Sequence, residues 1–300
     1  AKDSTVSDLQ AGINFQQYFP WPLNNEQLET VQKLVKFLTD PNPESRYFVM
    51  SGSAGTGKTS LMEGINKIFQ HSSAAFAYTA PTNKAAKVLA KRVGMAKTIY
   101  SLLGLRLEKN GEVKELTDAP VDIDLSDINA VIVDEASMVN SVLMKHIEKA
   151  VKKHNLRIVF LGDKYQLPPV GEAKSIVFDL PFDAQLLKVE RHDNAILDLA
   201  VHVRDQVFSP ITSITVKTQP DIDGGGVFKL DKMAFKRKIM ELARQGDFHQ
   251  FDKAKVVAWT NAEVNSYNNL IREGFFGGAW AASPFMVNDR IVATEPVTRG

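Results

Sequence analysis

The stretch Gly52-Ser53-Ala54-Gly55-Thr56-Gly57-Lys58-Thr59 decides how the rest of the chain is read. It has the eight-position spacing of a phosphate loop: Gly, four free positions, Gly, Lys, and Ser or Thr. Glycines at these places let the backbone turn tightly and aim its N–H groups at a phosphate chain, with no side chain in the way. Lys58 would set a point charge between the β- and γ-phosphates, and the Thr59 hydroxyl would ligate Mg²⁺. Outward from the loop, Tyr47-Phe48-Val49-Met50 reads as a buried strand. Leu61, Met62, Ile65, Ile68 and Phe69 mark one face of a helix starting at Lys58, whose N-terminus favours an anion. Strand, loop and helix in this order make a nucleoside triphosphate the expected ligand. Its expected contacts are Gly52, Ala54, Gly55, Thr56, Gly57, Lys58, Thr59 and Ser60.

Three hundred residues suggest about two domains. Lys plus Arg at 36 nearly balances Asp plus Glu at 35, so net charge makes no case for nucleic acid and any basic surface must be local. The absence of cysteine excludes disulfides, Cys-ligated zinc and thiol catalysis. It suits a reducing cytoplasm. No apolar run approaches the roughly 18 residues of a membrane span, and no signal peptide is apparent, so no membrane partner is expected.

Residues 1–22 begin polar and turn aromatic at Phe15, Tyr18, Phe19 and Trp21, which predicts a tail packed onto the domain. A helix then opens near Leu23-Asn24-Asn25-Glu26-Gln27, capped by Asn24 or Asn25, with Leu28, Val31, Leu34, Val35 and Leu38 as its apolar stripe. Ala74 to Thr79 reads as a second strand, running into Ala80-Pro81-Thr82-Asn83 and a lysine-bearing helix from Lys84 to Arg92. Ala130-Val131-Ile132-Val133 is a buried strand. A helix over about 139–153 follows, with Val142, Leu143, Ile147, Ala150 and Val151 as its apolar face, and then a strand from Arg157 to Leu161. Strands alternating with helices at this pitch predict an α/β fold with a mostly parallel sheet. Leu105 to Leu116 interrupts the alternation, because Asn110-Gly111 between two alternating runs is a hairpin turn signal. Beyond about residue 190 the pattern predicts helices over 194–207 and around 233–245, and a strand Val256-Val257-Ala258-Trp259. Thr260-Asn261 then leads a helix to about Arg272, followed by a loop from Gly274 to Gly278.

In open parallel sheets, ligands bind beyond the carboxyl ends of the strands. Asp134 follows the strand Ala130–Val133, where a carboxylate can hold Mg²⁺ through its water shell. Glu135 beside it is placed to orient or deprotonate an attacking water. Taken alone, such a pair also suits capping of the following helix; the phosphate loop upstream favours catalysis. Gln166, in Gly162-Asp163-Lys164-Tyr165-Gln166-Leu167-Pro168-Pro169, could hydrogen-bond a γ-phosphate or its water. Without that context the stretch is a loop stiffened by two prolines.

Together these segments resemble the superfamily 1 helicases of the 5′→3′ group that contains RecD and the phage Dda helicase. Gly52–Thr59 matches motif I, Ala80-Pro81-Thr82-Asn83-Lys84-Ala85-Ala86 motif Ia, Asp134-Glu135-Ala136-Ser137-Met138 motif II, and Gly162 to Val170 motif III. Thr98-Ile99-Tyr100-Ser101 is similar to the group's Thr-Ile-His-Ser segment, with Tyr100 in place of histidine. Leu187-Lys188-Val189-Glu190-Arg191 resembles motif IV. The resemblance implies tandem RecA-like P-loop NTPase domains that bind ATP and Mg²⁺ and move along single-stranded DNA. It assigns Gln27 to adenine and Lys58, Glu135, Gln166 and Arg191 to catalysis, with Arg191 reaching the γ-phosphate from the far side of the cleft. Thr59 and Asp134 fall to the metal, and Pro81, Thr82, Asn83, Thr98, Thr260 and Asn261 to the DNA strand. A hydroxyl or amide in such a loop is in general more often a helix cap than a phosphate ligand.

The implied organisation is a tail over 1–22, a RecA-like domain over 23–190 with the hairpin inserted at about 103–120, part of a second RecA-like domain over 191–284, and the opening of a small SH3-like insertion over 285–300. The hairpin sits where this group carries its strand-separating pin. Motifs V and VI have no counterpart up to Gly300, so the chain is expected to hold ATP better than it hydrolyses it. Single-strand/duplex DNA junctions and other replication or recombination proteins are the implied partners of a monomer.

Overall fold

The computed structural model describes residues 14–53, 55–70, 72, 74–110, 113–118, 123–188, 195–206, 215–222, 225–250 and 253–289. The chain divides into two compact units, Ala1–His192 and Asp193–Gly300.

In the first unit, α1 (Asn25–Thr39) starts at a capping box. Asn24 Oδ1 accepts the Gln27 N–H at 2.9 Å, and Gln27 Oε1 accepts the Asn24 N–H at 3.1 Å. The two bonds satisfy donors that would otherwise be orphaned at the helix start. Then come β1 (Tyr47–Gly52), α2 (Lys58–Ile68), β2 (Phe76–Ala80), α3 (Asn83–Val93), the short β3 (Lys97–Thr98) and α4 (Ile99–Leu102). The hairpin β4 (Leu105–Asn110) and β5 (Val113–Asp118) follows, then β6 (Ala130–Val133), α5 (Ser141–His154), β7 (Arg157–Gly162) and β8 (Ala184–Leu186).

Six strands form one sheet in the order β3-β2-β6-β7-β1-β8, and all five neighbouring pairs are parallel. The period-two alternation of strand side chains splits the apolar interior into two layers. Phe48, Met50, Ile132, Val159 and Leu161 face α1 and α2, while Val49, Val131, Val133, Ile158 and Phe160 face α5. With both faces covered, the strands need continuous apolar runs, which is why they were legible as such. The fold is α/β with the P-loop NTPase arrangement, the phosphate loop leaving the carboxyl end of β1, the fifth strand of the six. The described part of the tail packs onto this unit. Phe19 is buried, and Phe15, Tyr18 and Trp21 lie against the same layer.

Asn110 pairs with Val113, so Asn110 belongs to the strand and not to the turn that the Asn-Gly signal predicts; Gly111 and Glu112 lie outside the described residues. On α5, Val142 is exposed and Met144 takes the buried position, because the apolar stripe runs Leu143, Met144, Ile147 and Val151.

The second unit holds α6 (Ala195–Gln206), a two-stranded ribbon of β9 (Gln219–Pro220) and β10 (Gly226–Val227), α7 (Lys232–Arg244) and α8 (Asn261–Phe276). Its core gathers Ile239, Ala243 and Phe248, with Leu242, Tyr267, Leu270 and Ile271 against them. Val256–Trp259 does not form the predicted strand. The segment pairs with no strand among the described residues, and Val257 and Trp259 are 90% and 93% exposed. An apolar run becomes a strand only when a neighbour completes its ladder. The predicted loop from Gly274 is also corrected: α8 continues to Phe276 and ends where Gly277 takes a φ of 61°. Among the described residues, no helix is long and apolar enough to cross a membrane.

Candidate nucleotide cleft

The cleft is assembled at the carboxyl ends of β1, β6 and β7. Gly55 and Gly57 have φ of 86° and 92°, the left-handed region that lets the loop curl around an anion. Thr56 is fully buried, with its hydroxyl donating to the Ser53 carbonyl at 2.9 Å. Lys58 Nζ donates to the Gly52 and Ser53 carbonyls at 2.5 and 3.0 Å, which holds the ammonium at the mouth of the loop. Ala54 lies outside the described residues.

Gln27 is built into this loop. It is buried, and its Nε2 donates to the Thr56 carbonyl at 3.2 Å. A Cβ on Gly57 would stand 2.9 Å from that same Nε2, so the loop's glycine and the helix's glutamine fit each other.

At the end of β6, the Thr59 hydroxyl donates to Asp134 Oδ2 at 3.2 Å, while Asp134 Oδ1 accepts the Glu135 N–H at 2.9 Å. Glu135 has φ 56° and ψ 43°, a left-handed conformation that a residue with a side chain holds only where the surroundings impose it. Burial pushes the carboxyl of Asp134 above its ordinary range, against the lowering from its two hydrogen bonds, Lys58 and Arg92. Glu135 is raised too, by burial first and then by the nearby Asp134 charge. Two desolvated carboxylates side by side favour a cation or a proton between them.

A cavity of about 980 Å³ joins these groups. Gln27, Gly55, Gly57, Lys58, Thr59, Ser60, Asp134, Glu135 and Gln166 all line it. Thr59 and Asp134 offer hard oxygen donors, and Mg²⁺ is usually held by one or two such side chains while phosphates and water complete its shell. Among the described residues, no group of three or more His, Cys, Asp or Glu side chains forms a separate metal cage. The pair therefore suits Mg²⁺ accompanying a nucleotide.

Thr82 also lines the cavity, and its Oγ1 accepts the Ala85 N–H at 3.1 Å as the cap of α3. Thr98 caps α4 through the Ser101 N–H, and Thr260 makes a capping box with Glu263 on α8. At Thr82 and Thr98 the cap engages the hydroxyl oxygen as acceptor and leaves its proton able to donate, whereas the Thr260 hydroxyl donates to Glu263 Oε2 at 3.2 Å. Asn83 and Asn261 are exposed first residues of those helices, whereas Pro81 is buried and has no ring surface to present to a strand. Arg191 lies outside the described residues.

Trp21, Pro22 and Arg92 also line the cavity, a place the sequence reading did not give them. Trp21 and Pro22 form a wall beside Gln27, where the tail was expected only to pack. Gln16 fixes this wall, its Nε2 donating to the Trp21 carbonyl at 2.7 Å and its Oε1 accepting the Leu23 N–H at 2.9 Å. The aromatic between two prolines, six positions before Gln27, was the available signal. Arg92 reaches across from α3, its Nη1 donating to Ser60 Oγ at 3.1 Å and Glu63 Oε1 at 3.0 Å.

The uncharacterised protein R530 of Acanthamoeba polyphaga mimivirus is 25% identical over 307 residues, covering 90% of this chain and 60% of that one. The ATP-dependent RecD2 DNA helicase of Deinococcus radiodurans is 33% identical over 126 residues, covering 42% of this chain and 16% of that one. The chain thus spans 60% or less of the length of the curated relatives it matches. Among solved structures, unliganded Pif1 from a Bacteroides species is similar at a TM-score of 0.46 and 16% identity, covering 83% of this chain and 56% of that one. Residues 22–207, which hold every described element of the cleft except Trp21, match the AAA domain family, and the chain belongs to it.

Proposed function

We propose that this chain is the motor portion of an ATP-dependent DNA helicase, coupling ATP hydrolysis to 5′→3′ movement on single-stranded DNA and to unwinding at junctions. The observation that carries this reading is the cleft in which Lys58, Thr59, Asp134, Glu135 and Gln166 converge from three strand ends and Gln27 joins them from α1. The similarity to the RecD2 DNA helicase supports DNA as the track.

In this mechanism the phosphate loop cradles the triphosphate and Lys58 moves from its loop carbonyls onto the phosphates. Thr59 and Asp134 would hold Mg²⁺, which would neutralise phosphate charge. Glu135, raised by burial and by Asp134, accepts a proton from the attacking water. Gln166 contacts that water or the γ-phosphate, and Arg191 completes the charge stabilisation. Gln27 and the Trp21–Pro22 wall receive the base. Thr82, Asn83 and Thr98 on one unit and Thr260 and Asn261 on the other contact the strand's phosphates.

The test is ATP hydrolysis with and without single-stranded DNA, with Lys58→Ala as control. Hydrolysis stimulated by DNA and abolished by the substitution supports the motor. Nucleotide-gated DNA binding without stimulated turnover would assign a nucleotide-dependent binding module instead. Duplexes with 5′ or 3′ tails then separate unwinding from bare translocation, and a 3′ preference would refute the assigned direction.

A further inference from the structure

The first turn of α1 makes a second engagement that nucleotide recognition does not use. Glu26 Oε2 accepts the backbone N–H groups of two successive residues, Leu187 at 2.8 Å and Lys188 at 3.1 Å. These residues follow directly on β8, whose last residue, Leu186, stands in register with Gly52 of the phosphate loop. The approach is close there. A Cβ on Gly52 would meet the Leu186 carbonyl oxygen at 2.8 Å and Thr56 Oγ1 at 2.7 Å. Gln27, the next residue of the same turn, donates to the Thr56 carbonyl.

One capped helical turn therefore grips the phosphate loop with Gln27 and the chain leaving β8 with Glu26. Both residues stand in the first turn of α1, which the capping box between Asn24 and Gln27 closes. Bonds from N–H groups to a carboxylate are among the stronger ones available. Leu187 is 69% exposed, so apolar packing does little to fix the backbone there, and the carboxylate takes that role.

We propose that Glu26 is a positioning residue that carries a change in the phosphate loop on nucleotide binding to the backbone of Leu187 and Lys188. Arg191 lies three residues further along the chain. The inference rests on the nucleotide reading of the cleft, and goes beyond it in assigning a route from the loop to a segment outside it. A carboxylate that merely closed the end of β8 would protect both amides equally with and without nucleotide.

The experiment is hydrogen exchange at the Leu187 and Lys188 amides in the full chain, with and without Mg²⁺ and a slowly hydrolysed ATP analogue, alongside titration of the analogue. In the parent protein the analogue is expected to change exchange at both amides by about tenfold. Glu26→Gln keeps an acceptor at the same reach and retains that response. Glu26→Ala loses the acceptor and Glu26→Asp loses the reach; both reduce the response to within about twofold, with analogue affinity unchanged. An equal response in Glu26→Ala and the parent overturns the proposal. So does faster exchange by the same factor in both nucleotide states, or a Glu26→Asp variant that responds like Glu26→Gln. Failure of the parent to bind the analogue overturns the nucleotide reading itself, and the titration tells that outcome apart.

Discussion

The Thr59 hydroxyl and the Asp134 carboxylate meet at 3.2 Å, joining the last residue of the phosphate loop to the first residue after β6. If both hold one ion, Thr59→Ala and Asp134→Asn should each weaken Mg²⁺-dependent nucleotide binding by about tenfold or more, since even outer partners of metal ligands matter on that scale. The double variant should lose little beyond either single one, because groups sharing one partner are not additive. Titration with Mg²⁺ and with a chelator checks this. Variants that differ from the parent equally in both conditions would dissociate the pair from the metal.

Asp134 and Glu135 are both held above the ordinary carboxylate range by burial. A carboxyl whose folded pKa is raised binds its proton more tightly in the folded state. Its contribution to stability is therefore fully present below the unfolded value, about 4, and is lost as pH rises through the raised folded value. Above that value the site holds poorly solvated carboxylates at a cost to stability. Glu135→Gln should accordingly raise the thermal midpoint at pH 7, and the gain should vanish as pH falls towards about 4. The same substitution should reduce hydrolysis by about 10²–10⁴-fold. Thermal scans at the two pH values with a hydrolysis assay measure both; a variant less stable at pH 7 would contradict the sign.

Gln27 combines a helix cap with a grip on the phosphate loop. Gln27→Glu keeps the acceptor for the Asn24 N–H but turns the donor to Thr56 into a second acceptor facing a carbonyl. A buried acceptor without a donor costs about 1–3 kcal/mol. The expected result is a KM for ATP raised about tenfold with kcat little changed, and a reduced preference for ATP over GTP. An unchanged preference would separate Gln27 from base recognition and leave it as a cap.

What the sequence revealed depends on how locally each feature is encoded. The phosphate loop, the apolar runs of β1, β6 and β7, and the acids after β6 are contiguous, so spacing alone exposes them. β8 is three residues long and owes its existence to pairing with Met50–Gly52 more than 130 positions away, so no local pattern marks it. The same holds for Glu26, whose partners are known only once β8 is placed. Val256–Trp259 fails in the opposite sense: its composition suits a strand, but pairing decides, and the segment has no partner strand among the described residues. Trp21 reads as a packing aromatic, and only the turn held by Gln16 carries it to the cleft wall.

The tail's attachment gives a test in which one substitution changes sign with its background. Gly64 lies inside α2, and a Cβ there would fall 2.0 Å from Phe19 Cε1, so the glycine is the seat of that ring. Phe19 in turn packs edge-on against Trp21, with ring centroids 5.8 Å apart. In the parent, Gly64→Ala must displace the ring and should destabilise by about 1–3 kcal/mol, as overpacking does. It should also raise the KM for nucleotide through the displaced Trp21 wall. Phe19→Ala alone should lose about 3–5 kcal/mol. With Phe19 already truncated, the Cβ meets no ring, and Gly64→Ala should instead stabilise by up to about 1 kcal/mol from helix propensity. Urea denaturation of the four proteins measures the cycle. A Gly64→Ala cost of equal size in both backgrounds would show that the glycine is required for a reason other than Phe19.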